Sequence, residues 1–235
     1  MAYKLLIIIP CYNEEFSLPL VLADIQSTEF KEGFAVKPLV VNDCSTDKTR
    51  QAAEGFKVTV LNLPMNLGIG GAVQTGFKYA QQNNFDLALQ LDGDGQHPPA
   101  QINKLLDAWH QTGANIIIGS RFIDGEGFQS SLLRRIGISY FYWLNRIFAG
   151  VSIYDSTSGF RLLDKKAIEC AAGSYPDDYP EPESLIMFGK AGLKIKEVPV
   201  LMSHRLGGRS SIHGRSIYYV IKVTIAMFFT FIRKN

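Results

Sequence analysis

Five short apolar runs, separated by segments with helical patterning, restrict the fold of this chain more than any other feature. The runs are KLLIII (4–9), KPLVV (37–41), KVTVLNL (57–63), DLALQL (86–91) and NIIIG (115–119). The helical segments lie near residues 17–28, 46–54, 70–82 and 99–112. Apolar strands that alternate with crossover helices are typical of a mostly parallel sheet covered on both faces. The sequence therefore predicts an α/β fold that binds its ligands at the carboxyl ends of the strands.

The size and composition of the chain agree with one large globular domain. It has 235 residues, of which 46% are hydrophobic and 20% are charged, which suffices for a sizeable core. The formal net charge of +2 is too small to indicate nucleic-acid binding. Cys11, Cys44 and Cys170 are far apart and lack metal-binding spacing, so a reducing cytosol is favoured over a disulfide framework or a zinc site.

The second half of the chain has a basic aromatic segment at 131–150 and an apolar C-terminal segment at 216–235. Only ten residues separate Lys222 from Arg233, whereas a membrane-spanning helix needs roughly 20 apolar residues. We therefore predict one domain over 1–214, followed at 215–235 by an amphipathic helix that contacts a membrane or a partner. A helix that closes the core is the alternative interpretation.

The segment DGDGQ (92–96), which follows the fourth apolar run, carries the clearest chemical signal. Flanking glycines allow Asp92 and Asp94 to direct two carboxylates at a hard divalent cation, and Gln96 can add a third oxygen. A loop with aspartate turn chemistry that leads into a helix is the alternative. His97 could also contact the metal, although an ordinary hydrogen-bonding role is the simpler interpretation.

Polar or glycine-rich segments follow the first three apolar runs as well. They are PCYNEE (10–15), VNDCSTDKT (41–49) and NLPMNLGIGGAVQTG (62–76). Asn42 and Asp43 can pair with a nucleobase edge or with ribose hydroxyls, and Gly68 lies at a glycine-rich helix start that favours anions. The glycine spacing is not the dinucleotide-binding fingerprint, because Val73 occupies a glycine position and the segment does not follow the first strand.

The order of these motifs resembles that of family 2 glycosyltransferases, most closely the branch that contains dolichyl-phosphate mannosyltransferase and bacterial polyprenyl-phosphate glycosyltransferases. Besides the segments above, the resemblance rests on GSRF (119–122), TSGFRLLDKKAI (157–168) and RLGGRSSI (205–212), and it covers nearly the whole chain. It implies the Rossmann-like GT-A fold, a nucleotide-sugar donor, Mg²⁺ or Mn²⁺ as cofactor, and inversion at the anomeric carbon. It also implies polysaccharide or glycoprotein assembly at the inner face of the cell membrane.

The resemblance assigns roles to individual residues. The nucleotide would be bound by Pro10, Tyr12, Glu14, Asn42, Asp43, Gly68 and Asp92. The metal that bridges the donor diphosphate would be held by Asp92, Asp94 and Gln96. Phosphate groups of the donor or the acceptor would be bound by Arg121, Arg134, Arg135, Arg205, Arg209 and Ser210. Asp94 and Arg121 would act in catalysis, because a metal and an arginine stabilise the charge that develops on the leaving diphosphate.

The sequence leaves the donor and the acceptor open. Asn42 stands where many relatives carry a carboxylate, and an amide suits uracil or thymine better than guanine, so a UDP or dTDP sugar is favoured over GDP-mannose. A polyprenyl phosphate would attack without a base, whereas the hydroxyl of a lipid-linked glycan would need Glu181 or Glu183. Both glutamates are also explained by a helix N-terminus, where the dipole favours acidic residues.

Three further expectations concern partners and other functional classes. Membrane contact is expected through the basic aromatic segment at 131–150 and the apolar C-terminal segment at 216–235, and a small membrane protein is a conceivable partner. A nucleotidyltransferase would place a basic glycine-rich loop after the first strand, where PCYNEE is acidic. A non-catalytic nucleotide-binding scaffold on the same fold remains as an alternative, although Asp92, Asp94 and the arginines argue for catalysis.

Overall fold

A computed structural model describes residues 2–123, 132–203 and 216–233. The described strands form one sheet in the order β3-β2-β1-β4-β6-β5-β7. They are β1 (Tyr3–Cys11), β2 (Phe34–Asn42), β3 (Thr59–Asn62), β4 (Leu87–Gln90), β5 (Ile116–Ser120), β6 (Arg161–Asp164) and β7 (Ile195–Pro199). The helices are α1 (Ser17–Ser27), α2 (Thr49–Glu54), α3 (Gly68–Gln82), α4 (Ile102–Thr112), α5 (Leu132–Phe148), α6 (Lys165–Gly173), α7 (Pro180–Lys190) and α8 (Ser216–Ile232), and a 3₁₀ turn at Pro99–Gln101 leads into α4.

The predicted α/β fold is confirmed. The five apolar runs form β1 to β5, and β1 pairs in parallel with β2 and β4. The sequence predicted neither β7, which is parallel to β5, nor β6, which lies between β4 and β5 and is antiparallel to both. This strand has four residues and ends at Asp164, whose side chain accepts a hydrogen bond from the Ala167 N–H and caps α6.

Apolar side chains cover both faces of the sheet, which explains why the strands show no polar alternation. The helices α1 and α4 pack on one face, and α3, α6 and α7 pack on the other. Ile7 and Ile8, neighbours in β1, belong to opposite faces and are both fully buried. Burying one such side chain contributes roughly 1.5–3 kcal/mol, so the sheet is a firm frame for the loops at its edges.

The helices α5 and α8 form a further layer outside α7. A small apolar cluster joins the three helices and consists of Phe141, Ile186, Val223 and Met227. The side of α8 that faces away from this cluster is also mostly apolar, as Ile225 and Phe229 illustrate. In the part of the chain that the structure describes, each helix is too short or too polar to cross a bilayer.

The carboxyl ends of β1, β2 and β4 meet at one edge of the sheet. Cys11 lies opposite Asn42, and Ile8 lies opposite Gln90. Because β6 runs in the opposite direction, it begins at the same edge with Arg161. The chain leaves β1 for β2 on one side and returns to β4 on the other, and open α/β sheets bind ligands at such a switch point.

Candidate active site

The loops that follow β1 and β2 are tied to each other by hydrogen bonds. The Asn13 N–H donates to the Ser45 hydroxyl (3.0 Å), and the Thr46 N–H donates to Asn13 Oδ1 (2.8 Å). The Glu14 N–H donates to Thr49 Oγ1 (2.8 Å). Asn13 adopts a φ of 58°, a left-handed conformation that asparagine tolerates better than most residues. These bonds hold the two loops in a fixed relative position at the edge of the sheet.

The first loop exposes two aromatic rings, Tyr12 and Phe16, of which Tyr12 was predicted to contact the nucleotide. Tyr12 is 50% exposed, whereas Pro10 is buried within β1. The Glu14 carboxylate accepts a hydrogen bond from the Ser17 hydroxyl at the start of α1. Of the residues predicted in this loop, Tyr12 therefore offers the largest accessible surface for contact with a nucleobase.

Asn42 and Asp43, predicted to contact the nucleotide, are both buried and bonded to neighbouring loops. Asn42 donates from Nδ2 to Asn62 Oδ1 (2.8 Å) and accepts at Oδ1 from the Ser45 N–H (3.2 Å). Asp43 Oδ1 accepts from the Leu67 N–H (2.7 Å). Both side chains therefore shape the loops around the candidate nucleotide site, whether or not they also touch a base.

The glycines at the start of α3 have different surroundings. Gly68 has a φ of +76° and open space where a Cβ would lie, and its N–H donates to Asn66 Oδ1 (3.1 Å). At Gly70 a Cβ would lie 2.1 Å from the Pro176 carbonyl oxygen, and the Gly70 N–H donates to the Asp177 carbonyl (3.2 Å). Gly68 therefore fits the predicted ligand contact, whereas Gly70 is required for packing between α3 and the loop before α7.

Asp92 and Asp94 lie after β4 at the centre of the edge. The buried Asp94 accepts the Gln96 N–H at Oδ1 (2.9 Å), while the Asp92 side chain is 33% exposed. His97 lies with Nε2 3.8 Å from Asp92 Oδ2 and stacks on Phe160 at 4.8 Å between ring centroids. Burial, assisted by the charge of Arg121, lowers the pKa of His97 to about 4, so His97 is neutral at pH 7.

The carboxylate oxygens of Asp92 and Asp94 fit a divalent cation that binds together with a substrate. Among the described residues, no three His, Cys, Asp or Glu side chains are grouped to hold a metal. The carboxylates of Asp92 and Asp94 are hard oxygen ligands, and Mg²⁺ sites commonly combine one or two carboxylates with substrate phosphates and water. A buried amide oxygen near these carboxylates, Gln90 Oε1, also has no hydrogen-bond partner in the described part of the chain.

Arg121, which follows β5, is held by a buried carboxylate. Its Nε and Nη2 donate to Asp155 at 2.7 and 2.6 Å, and Nη2 also donates to Thr157 Oγ1 (2.8 Å). Burial alone would lower the pKa of Arg121, but the hydrogen bonds and charge of Asp155 raise it. Two nitrogens are thus directed at the 155–157 loop, and the predicted phosphate contact stays a prediction.

The two glutamates predicted as alternative bases lie in the first turn of α7 but face different parts of the molecule. Burial raises the pKa of Glu181; the charge of Arg161 opposes this shift, and that of nearby Asp92 adds to it. Glu183 Oε1 instead accepts a hydrogen bond from the Thr230 hydroxyl of α8 (2.5 Å). The structure therefore brings Glu181 to the candidate site and Glu183 to the outer helix layer.

Two side chains at this edge, Gln90 and Arg161, were missed by sequence reasoning. They are cross-strand partners in β4 and β6, and each is 1% exposed. Arg161 donates from Nε, Nη1 and Nη2 to Ser158 O, Ser184 Oγ and Ser156 O at 2.7, 2.8 and 2.8 Å. A polar residue within the apolar runs LALQL and GFRLL is the signal that could have revealed them.

The remaining predicted residues cannot be placed in this site. Arg134 and Arg135 belong to α5, but their side chains lie outside the described residues, as do Arg205, Arg209 and Ser210 altogether. Their phosphate- and acceptor-binding roles stay predictions.

Comparison with known proteins identifies the family. The chain matches the family described as Glycosyl transferase family 2 over residues 6–171. It is 32% identical to undecaprenyl-phosphate mannosyltransferase of Micrococcus luteus, with 90% of this chain and 88% of that protein covered. It is 30% identical to polyprenol monophosphomannose synthase of Mycolicibacterium smegmatis, with 91% and 83% covered.

A solved structure shows the same architecture. Glucosyl-3-phosphoglycerate synthase of Mycobacterium tuberculosis, in complex with Mn²⁺, UDP and glucosyl-3-phosphoglycerate, matches with a TM-score of 0.65 at 17% identity, over 97% of this chain and 78% of that one. The fold is thus the expected GT-A fold. The chain belongs to glycosyltransferase family 2, and the resemblance carried by its motifs is confirmed.

Proposed function

We propose that this glycosyltransferase moves one sugar, with inversion, from a nucleoside diphosphate sugar to a polyprenyl phosphate. The observation that carries the proposal is the position of Asp92 and Asp94, at the sheet edge between the loops of β1 and β2 and the start of α7. The activities named for the two bacterial relatives support the acceptor class.

On the donor side, Asp92 and Asp94 would hold Mg²⁺ or Mn²⁺, with Gln96 as the predicted third ligand. When bound, the metal would stabilise the negative charge of the leaving diphosphate. Tyr12 would cover the nucleobase, and the Gly68 backbone would approach the nucleotide at the start of α3. The Mn²⁺ and UDP named in the complex of the mycobacterial enzyme support this arrangement.

The donor is proposed to be a UDP or dTDP sugar. Guanine presents adjacent N–H donors that a carboxylate accepts best, and Asn42 supplies a neutral amide where many relatives carry a carboxylate. The Asn42 amide is uncharged, and in this structure it is bonded to Asn62 and to the Ser45 N–H.

On the acceptor side, a polyprenyl phosphate would attack through an oxygen that is already anionic, so no side chain has to remove a proton. A sugar hydroxyl is the second candidate acceptor, favoured by the raised pKa of Glu181 beside Asp92. Glu183 is the less suitable base, since its carboxylate is bonded to α8.

A single substitution separates the two acceptors. If the acceptor is a lipid phosphate, Glu181→Gln should lower kcat by less than about tenfold, because no proton transfer is lost. Loss of a general base would lower kcat by about 10²–10⁴-fold, and a decrease of that size would establish the hydroxyl acceptor.

The acceptor class requires contact with a lipid surface, and the outer helix layer offers one. Large apolar side chains are exposed on α5 and α8, and we call them the apolar outer face: Tyr140, Trp143, Ile147, Ile221, Ile225, Phe228, Phe229, Phe231 and Ile232. Lys222 is exposed on α8, and Arg233 is exposed directly after this helix. Apolar side chains flanked by basic ones favour peripheral binding at the cytosolic membrane face, and a small membrane protein is the alternative occupant.

Calorimetric titration of UDP, dTDP and GDP, each with and without Mn²⁺, tests the donor site. Wild-type protein should bind one of the three in a Mn²⁺-dependent manner, and Asp94→Ala should lose that dependence. Wild-type protein that binds none of them would contradict the transferase site and support the scaffold alternative.

A further inference from the structure

Gln90 occupies a position where a polar side chain needs a specific reason. It is the last residue of β4, it is 1% exposed, and the other residues of this strand are Leu87, Ala88 and Leu89. Burying an amide without hydrogen bonds is unfavourable. The cost is offset only where the amide nitrogen or oxygen finds partners, so the partners of Gln90 indicate what it does.

The amide nitrogen of Gln90 donates to one carboxylate, and the Gln90 side chain interacts with a second. Nε2 donates to Asp92 Oδ1 in a long hydrogen bond of 3.4 Å. An interaction with Gln90 is also among those that oppose the burial-driven rise in the pKa of Glu181. An amide has two N–H donors, and one can serve each carboxylate.

The backbone just before β6 leaves room for this arrangement. A Cβ at Gly159 would lie 2.7 Å from Gln90 Nε2 and 3.1 and 3.2 Å from the two carboxylate oxygens of Asp92. A side chain there would displace the amide or the carboxylate. The absence of a side chain at Gly159 thus fits the close approach of Gln90 to Asp92.

The nearest buried cation cannot replace Gln90. Arg161 lies opposite Gln90 in β6, but its Nε, Nη1 and Nη2 all donate to oxygens of serine residues. Arg161 therefore acts on the Glu181 carboxylate through its charge at a distance. Gln90 is neutral, so it can orient Asp92 without competing with a cation for the negative charge.

We propose that Gln90 is a positioning residue that holds Asp92 in the orientation in which it binds the metal–diphosphate group of the donor. This inference rests on the proposed function of Asp92. Hydrogen bonds to metal ligands fix the ligand geometry, and their loss typically weakens metal binding by about 10–100-fold.

The test is a titration of Mn²⁺ into protein saturated with UDP, or with dTDP or GDP if the wild type prefers one of these. In Gln90→Leu the dissociation constant for Mn²⁺ should rise by about 10–100-fold, while metal-free nucleotide binding changes little. In kinetic assays the Mn²⁺ concentration for half-maximal rate should rise, and kcat at saturating Mn²⁺ should recover to near the wild-type value. Such a split is not expected from general damage to the fold.

Two further variants keep the outcome decisive. Gln90→Met has a similar volume and a flexible side chain, and it decides the question should Gln90→Leu not fold. Asn145→Leu removes an equally buried amide on α5, and its Mn²⁺ affinity should equal that of the wild type. Unchanged Mn²⁺ affinity in a folded Gln90 variant would overturn this proposal alone, whereas a wild type that binds no nucleotide would overturn the proposed function.

Discussion

The carboxyl edge of the sheet and the apolar outer face on α5 and α8 are built in opposite ways. At the edge, hydrogen bonds fix polar groups, as between Arg121 and Asp155. The outer face instead exposes large apolar side chains such as Trp143 and Phe229. Stabilisation of developing charge needs preorganised polar groups, whereas lipid contact needs apolar area. The difference indicates two separate tasks, joined by α7.

The largest effect is expected at the sheet edge from Asp94→Asn. The substitution keeps the shape of the side chain and removes the charge that would hold the metal, so the transfer rate should fall by about 10²–10³-fold. Initial rates at saturating Mn²⁺ measure it. A rate within a few-fold of the wild type would show that Asp94 is not a metal ligand.

The next effect concerns the stability of the polar edge. Asp155→Asn leaves Arg121 without its buried partner, and breaking such a pair typically costs about 3–5 kcal/mol. Urea unfolding measures the change. The matched control is Asp107→Asn, which breaks a half-exposed pair with Lys31 and should cost less than about 1 kcal/mol. Equal losses for the two variants would show that burial does not distinguish the pairs.

The apolar outer face can be tested without disturbing the edge. Replacing Trp143 or Phe229 by Glu should weaken binding to anionic phospholipid vesicles by about tenfold or more, since burial of one such side chain is worth roughly 1.5–3 kcal/mol. Vesicle co-sedimentation measures the bound fraction. Leu20→Glu, which alters an equally exposed side chain on α1, is the control and should bind like the wild type. Unaltered binding of the α5 and α8 variants would assign this face to another partner.

The smallest effect is expected from Glu183→Gln, at the contact between α7 and α8. Burial raises the pKa of Glu183, and the hydrogen bond from Thr230 only partly opposes the shift. When the pKa of a carboxyl group is higher in the folded state, the protein loses stability as the pH rises from the usual pKa of the group through the raised value. In Glu183→Gln the midpoint of thermal unfolding should therefore depend less on pH across this acidic range, and the transfer rate should stay unchanged. A midpoint that keeps the wild-type pH profile would contradict this assignment.

The sequence was most informative for strands that are buried on both faces of the sheet and for motifs that directly follow a strand. The runs that form β1 to β5 are apolar because both faces of the sheet are covered, and the parallel direction of β1, β2 and β4 brings their polar ends together. The strand β6 was missed because its two leucines lie between the charged residues Arg161 and Asp164, and the pairing of Gln90 and Arg161 was missed with it. Glu181 and Glu183 were indistinguishable in sequence, since the packing of α8 on α7 decides which one reaches the site.

The products of the reaction show directly whether a polyprenyl phosphate is the acceptor. The enzyme is incubated with Mn²⁺, polyprenyl phosphate in vesicles and a panel of UDP, dTDP and GDP sugars, and the lipid fraction is analysed by mass spectrometry. The account predicts a polyprenyl phosphate that carries one sugar, together with an equal amount of free nucleoside diphosphate. Release of nucleoside diphosphate only when a glycan hydroxyl is supplied, with no modified lipid phosphate, would contradict it.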